Sequence, residues 1–132
     1  MPKRVLKPAS VKSKGSYSPG WEVSNGRMIY VAGQVPWDEN SKTVCKGDAA
    51  GQTRQVFKNI ATILAEAGAT LDDVVKINIF AADIRYRDVI NQVRSETFKE
   101  PYPASTQVAA TLVDPEWMVE IEAVAFVPAD RK

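Results

Sequence analysis

The sequence predicts an α+β fold, a mixed β-sheet with two helices on one face, and three observations carry this. Strand-like and helix-like segments alternate along the chain. Two segments, 74–82 and 117–127, are apolar in almost all of both alternating sets, the mark of strands covered on both sides. Two others carry a single apolar stripe at helical spacing. Two helices can cover only one face of a sheet, so the other must be covered by another copy of the chain, and an obligate homo-oligomer is expected. Residues 1–132 leave room for one domain only.

In chain order, Val5-Leu6-Lys7-Pro8 is a short edge strand that the proline ends. Gly15 to Gly20 is a loop whose Tyr17 suits either a pocket wall or packing over a core edge. Gly15, Gly20 and Gly26 lack the spacing of a dinucleotide fingerprint. Trp21–Ser24 and Arg27–Ala32 read as strands joined by an Asn25-Gly26 hairpin turn, the second stopped by Gly33-Gln34-Val35-Pro36. From Asp48, a plausible N-cap, a helix runs to Ala67 with Val56, Ile60, Ile63, Leu64 and Ala67 on its stripe, and Gly68 ends it. Val74–Ala82 is a strand broken by Lys76 and Asn78 on one face. Asp83 then caps a second helix bearing Tyr86, Val89, Ile90, Val93 and Thr97, with Asn91 off the stripe, placed to donate to a ligand or to face water.

The C-terminal part is the richest. Ser105–Val113 alternates, with Thr106, Val108, Ala110 and Leu112 on one face and Ser105, Gln107, Ala109 and Thr111 on the other, and Asp114-Pro115 marks a turn. A hairpin with Val113 opposite Glu116 sets Gln107 against Glu122 and Ala109 against Glu120; a slip by one residue sets Glu122 against Val108. The first register collects the polar groups on one face. Glu120 and Glu122 interrupt an otherwise apolar run, and a buried carboxylate is costly unless paired. They are the first site candidates, unless their face simply meets solvent or a partner subunit.

Composition excludes several chemistries. With 45% hydrophobic and 25% charged residues the chain is an ordinary globular protein, and a net charge of +1 exerts no general pull on nucleic acid or membrane. Lys3, Arg4, Lys7, Lys12 and Lys14 make the N-terminus basic, which suits an anion, RNA or plain solvation. The single Cys45 cannot form an internal disulfide and no secretory h-region is present, so a cytoplasmic location is expected. The chain has no histidine, which removes Ser-His-Asp and Cys-His machinery, the usual zinc sites and any base for Cys45. No metal is expected, and acid-base chemistry must use carboxylates, tyrosine, lysine or water.

Val31-Ala32-Gly33-Gln34-Val35-Pro36, the Gln55–Gly68 helix, Asp73-Val74-Val75-Lys76, Tyr102-Pro103-Ala104 and Val119-Glu120-Ile121-Glu122-Ala123-Val124-Ala125 resemble, in order and spacing, the RidA/YjgF (reactive intermediate deaminase) family over nearly the whole chain. The resemblance implies a chorismate-mutase-like fold and a homotrimer with sheets facing inward and clefts between subunits. It also implies hydrolysis of small enamines or imines to ketones and ammonia without metal or organic cofactor. Such hydrolysis needs a water to attack carbon and a proton for the leaving nitrogen, and a desolvated glutamate can help with both. Glu120 falls on the family's catalytic glutamate, Tyr17 and Asn91 on positions lining the cleft, and Glu122 is assigned a structural role.

Two departures bear on specificity. Active members of the family carry an arginine directly after Pro-Ala that grips the substrate carboxylate, whereas Ser105 stands there in this chain, and Ala32 replaces a frequent serine before Gly-Gln. A bidentate arginine contact contributes about 2 to 5 kcal/mol in a desolvated site. Imines of ordinary amino acids are therefore expected to bind poorly, with Ser105 and Thr106 holding a neutral or differently shaped ligand. The expected partners are a small-molecule ligand and further copies of the chain. A binder without turnover at the same clefts is the alternative. Ribonuclease activity, reported for some relatives, finds neither a basic stripe nor histidine to support it.

Overall fold

In the computed structural model, which describes residues 2–131, the chain runs β1 (Lys3–Leu6), β2 (Gly20–Val23), β3 (Gly26–Gln34), α1 (Ala49–Glu66), β4 (Val74–Ala81), α2 (Arg87–Thr97), β5 (Ala104–Ala109) and β6 (Val119–Pro128). A four-stranded mixed sheet has the order β3-β6-β4-β5, and β1 and β2 pair separately. Among the strands of the described residues only β4 and β5 run parallel. Asp48 caps α1 by accepting the Gly51 N–H at 3.0 Å, and Gly68, at φ +73°, follows its end. That conformation is easy only for glycine.

Both helices lie on one face of the sheet. Val56, Ile60 and Leu64 of α1 and Ile90 and Val93 of α2 bury against Val119, Ile121, Ala123, Ala125 and Val127 of β6 and Ile77 and Ile79 of β4. Phe57 meets Phe98 edge to face at 5.3 Å, which fastens α1 to the end of α2. Ile63 and Val89, expected on the buried stripes, sit on the flanks and stay partly exposed; the α1 stripe extends instead through Gln52 and Thr53. Among the described residues no helix is long and apolar enough to cross a membrane.

Two expected hairpins do not form. Asn25 adopts the positive φ of 59° that its turn sequence favours, but β2 pairs with β1 while β3 leaves to pair with β6. At Gly26 a Cβ would overlap the Phe126 ring and the Val127 carbonyl. This glycine permits the close approach of β3 to β6 as well as ending the turn.

Nor do β5 and β6 pair. Because α2 carries the chain from β4 to β5 as a crossover, β5 lies parallel to β4, with Ile77 opposite Ser105 and Ile79 opposite Gln107. Residues 110–118 then cross the end of β4, where the Ala110 N–H bonds Ala81 O and the Ala82 N–H bonds Met118 O, both at 2.9 Å. β6, the most apolar strand, thus takes a central place, with Glu122 opposite Asn78 and Glu120 opposite Phe80 rather than Gln107 and Ala109. Two smaller shifts complete the corrections. β1 ends at Leu6 before Lys7, and Asp83 caps a 3-10 turn, Ile84–Tyr86, just ahead of α2.

The face away from the helices carries Met28 and Tyr30 of β3, Lys76, Asn78 and Phe80 of β4, Thr106 and Val108 of β5, and Glu120, Glu122, Val124 and Phe126 of β6. It is half apolar, and Tyr30 is 75% exposed upon it.

Candidate functional site

Arg87, Asn91 and Arg94 are four and three residues apart on α2, a spacing that aligns them on one face. Across from them, Ser105 and Gln107 alternate onto the helix side of the edge strand β5. A polar cluster between helix and strand results. Arg94 is only 6% exposed, and its Nη1 donates to Ser105 Oγ at 3.2 Å. Its guanidinium carbon lies 5.7 Å from the centre of the Tyr17 ring, a cation–π contact. Asn91 Oδ1, Arg94 Nε and Gln107 Nε2 are buried there without partners. Gln107 also lines a cavity of ≈ 240 Å³ with Arg87, Ile84 and Ala81.

The wall bearing Tyr17 is fixed by local hydrogen bonds. The Ser18 N–H donates to Pro103 O at 3.0 Å, which ties the loop beside Ala104. The Lys14 N–H reaches Tyr17 Oη at 3.3 Å, and Ser16 Oγ meets Ser95 Oγ of α2 at 2.7 Å. Burial pushes the Arg94 guanidinium below its ordinary pKa, the Tyr17 hydroxyl opposes this, and the positive charge of Arg87 adds to it. No carboxylate pairs with Arg94 among the described residues. The buried Asp73, by contrast, receives two hydrogen bonds from Arg131, at 2.6 and 2.7 Å.

On the other side of the sheet stands Glu120, packed over Gly33 so closely that a Cβ there would overlap its carboxylate. Glu122, two residues on, accepts from Asn78 Nδ2 at 2.8 Å, a fixed structural contact. Thr106 Oγ1 accepts from Lys76 Nζ at 2.9 Å on that same face. Within one chain, then, Tyr17, Asn91 and Ser105 gather on the helix side around Arg94, while Glu120 and Thr106 lie across the sheet. Arg94 and Gln107 join the first set without having been singled out from sequence. An arginine one turn after Ile90 and next to Val93, inside the apolar stripe, is the signal that marks Arg94.

One mixed sheet carrying both helices on one face is the chorismate-mutase-like class of α+β architecture. The chain belongs to the RidA/YjgF family. The family described as Endoribonuclease L-PSP matches residues 7–127. A RutC family protein of Pyrococcus abyssi is 40% identical over 115 residues, covering 87% of this chain and 89% of the relative. The 3-aminoacrylate deaminase RutC of Acinetobacter baylyi is 41% identical over 128 residues, covering 96% and 100%. Among solved structures, a Rid family protein of unknown function from Yersinia pestis, YyfB, superposes with a TM-score of 0.87 at 30% identity, covering 96% of this chain and all of that one.

Proposed function

We propose that this chain is a cofactor-independent hydrolase of small enamines or imines, with Glu120 activating the attacking water and the groove of Tyr17, Asn91 and Ser105 holding the substrate. The observation that carries the reading is Glu120 itself. It is a carboxylate on a half-apolar face, opposite Phe80, with no side chain paired to it among the described residues, whereas its neighbour Glu122 is held by Asn78. Glu122 is committed to that contact, whereas Glu120 has an oxygen pair open to accept a proton from water. The enzyme named for 3-aminoacrylate, itself an enamine, supports the same reaction class.

The two halves of this site are on opposite faces of one sheet, so a single chain cannot bring them together. We infer a homotrimer in which the sheets face inward and Glu120 of one subunit meets the groove of the next, a cleft at each seam. Covering Tyr30, Val108 and Met28 in that assembly would also remove the exposed apolar residues from water.

A second reading is a trimer that binds a small metabolite at the same seams without turnover, and Ser105, where the family's active members have arginine, favours it. The deciding experiment follows ammonia release from a freshly generated enamine at micromolar protein. Release well above the buffer rate supports the hydrolase; saturable binding with no release supports the binder.

A further inference from the structure

We propose that Lys3 is a covalent capture site for small uncharged aldehydes, which its side-chain amine takes up as a Schiff base beside a cavity that shares no residue with the Arg94 cluster or with Glu120. The cavity, of ≈ 200 Å³, lies where the start of β4 meets the segment after α2, and Leu71, Val74, Phe98 and Pro103 give it apolar walls. At about 30 Å³ per water it has room for on the order of six waters, or for one small organic molecule. Lys3 of β1 lines it, and Lys3 Nζ donates to the backbone oxygen of Asp72, another lining residue, at 3.4 Å. The amine is thus held at the cavity.

Lys3 is engaged differently from other lysines of the fold. Lys46 and Lys99 form ion pairs with Glu116 and Asp72, and Lys76 donates to Thr106 at 2.9 Å. Lys3 is half-buried, with one long hydrogen bond and the Trp21 ring centre 4.9 Å from Nζ, and no carboxylate pairs with it among the described residues. The nearby acids are engaged elsewhere: Asp72 by Lys99, and Asp73 by two hydrogen bonds from Arg131. Burial pushes the Lys3 ammonium below its ordinary pKa; the charges of Asp73 and Asp72 oppose this and that of Arg131 adds to it. A lowered pKa leaves more of the neutral amine, the form that attacks a carbonyl.

The ammonium first gives a proton to solvent. The neutral amine then adds to the carbonyl carbon, forming the N–C bond, and the carbonyl oxygen leaves as water with both amine hydrogens. A C=N bond replaces C=O, and nothing is oxidised or reduced. The charges at the rim select the aldehyde. Besides Lys3 they are Lys99, Asp72 and Glu100, one cation against two anions, so an aldehyde that carries a carboxylate meets net negative charge, while the walls favour an alkyl chain. Capture at Lys3 does not depend on turnover at Glu120.

The test is reductive trapping of the intact protein near neutral pH with cyanoborohydride and either propionaldehyde or glyoxylate, each adduct being located by peptide fragmentation. With propionaldehyde, Lys3 should be alkylated at least about tenfold faster than the exposed Lys7, and with glyoxylate this lead should shrink. In denaturant the lead should vanish, and the Lys3 rate should level off at a lower pH in the folded protein than in the unfolded one. Arg131→Met frees Asp73 to hold the ammonium, so it should slow Lys3 at least about threefold and leave Lys7 unchanged. A Lys3 rate no greater than that of Lys7, the same lead with both aldehydes, a lead that survives denaturant, or an unchanged Lys3 rate in folded Arg131→Met would each overturn the proposal. The comparison of folded with unfolded protein uses the parent alone, so it decides the matter even if the variant fails to fold.

Discussion

Arg94 Nη1 donates to Ser105 Oγ at 3.2 Å, so the serine standing where family members have an arginine is itself held by an arginine from α2. A guanidinium placed at 105 would therefore enter a space already occupied by positive charge. Ser105→Arg alone should lower stability by about 1 to 3 kcal/mol through like-charge repulsion and a lost hydrogen bond. The double variant Arg94→Ser with Ser105→Arg, which moves the charge from helix to strand, should recover most of that loss. Denaturant unfolding of the four proteins gives the coupling directly, and additive losses would show that the two positions do not share one space.

Much of this was legible in the residues, and the failures have physical causes. The helices, their caps at Asp48 and their faces follow from period and capping chemistry, which are local. Pairing is not local: the Asn25-Gly26 and Asp114-Pro115 signals mark turns, but which strand each neighbour meets depends on burial across the whole sheet. β6 outcompetes nearer partners because its apolar length suits the centre, and the α2 crossover forces β5 to be parallel. Ser105 and Thr106 cannot both line one site within a chain, a consequence already present in their alternation, since adjacent residues of a strand face opposite ways. Glu120 stands out as an acid in an apolar run, Tyr17 and Asn91 as polar groups in a loop and off a helical stripe, and the family resemblance adds their roles, whereas Arg94 is marked by the absence of any acid against it among the described residues.

Asp73 makes the pH dependence specific. Burial raises its carboxyl pKa, but the two hydrogen bonds from Arg131 and one from the Thr70 N–H outweigh that and hold it below the ordinary 3.8. A depressed pKa contributes stability that is complete above the unfolded value and is lost as pH falls through the folded one. Unfolding free energy should therefore fall as the pH drops below 3.8, and Arg131→Met should flatten that part of the profile. At neutral pH the variant should lose about 1 to 2 kcal/mol, less than for a fully buried pair because Arg131 is half exposed. A profile of the same slope in both proteins would show that the pair does not govern acid stability.

The proposed assembly is tested on the open face. Tyr30 lies beside Val124 with three-quarters of its surface exposed. Tyr30→Glu should leave the helix-side core untouched but place a charge in the subunit seam, so light scattering should shift from the mass of three chains toward one, or the protein should aggregate. A parent that is a stable monomer at micromolar concentration removes both the trimer and the shared cleft.

Gly33 offers a way to move Glu120 without changing it. The added methyl of Gly33→Ala overlaps the far end of the Glu120 side chain, which can swing away, rather than backbone. Melting temperature should change little, while turnover of an enamine should drop at least about tenfold as the carboxylate leaves its place. Unchanged turnover would mean that the position of Glu120 does not matter to the reaction.

Replacement of Glu120 itself separates enzyme, binder and scaffold. Glu120→Gln keeps the shape but removes the base, so if Glu120 activates water, ammonia release should fall about 100-fold or more while ligand affinity changes little. If the site only binds, affinity changes and there is no release to lose. If the residue is structural, a mispaired amide should lower stability by about 1 to 3 kcal/mol and function should fail only as the fold does. Glu122→Gln is the control: its amide oxygen can still accept from Asn78 Nδ2, so stability should move slightly and turnover hardly at all. Melting temperature, ligand affinity and ammonia release measured on both variants separate the three cases, and a Glu120→Gln protein as stable and as active as the parent ends the catalytic role of that carboxylate.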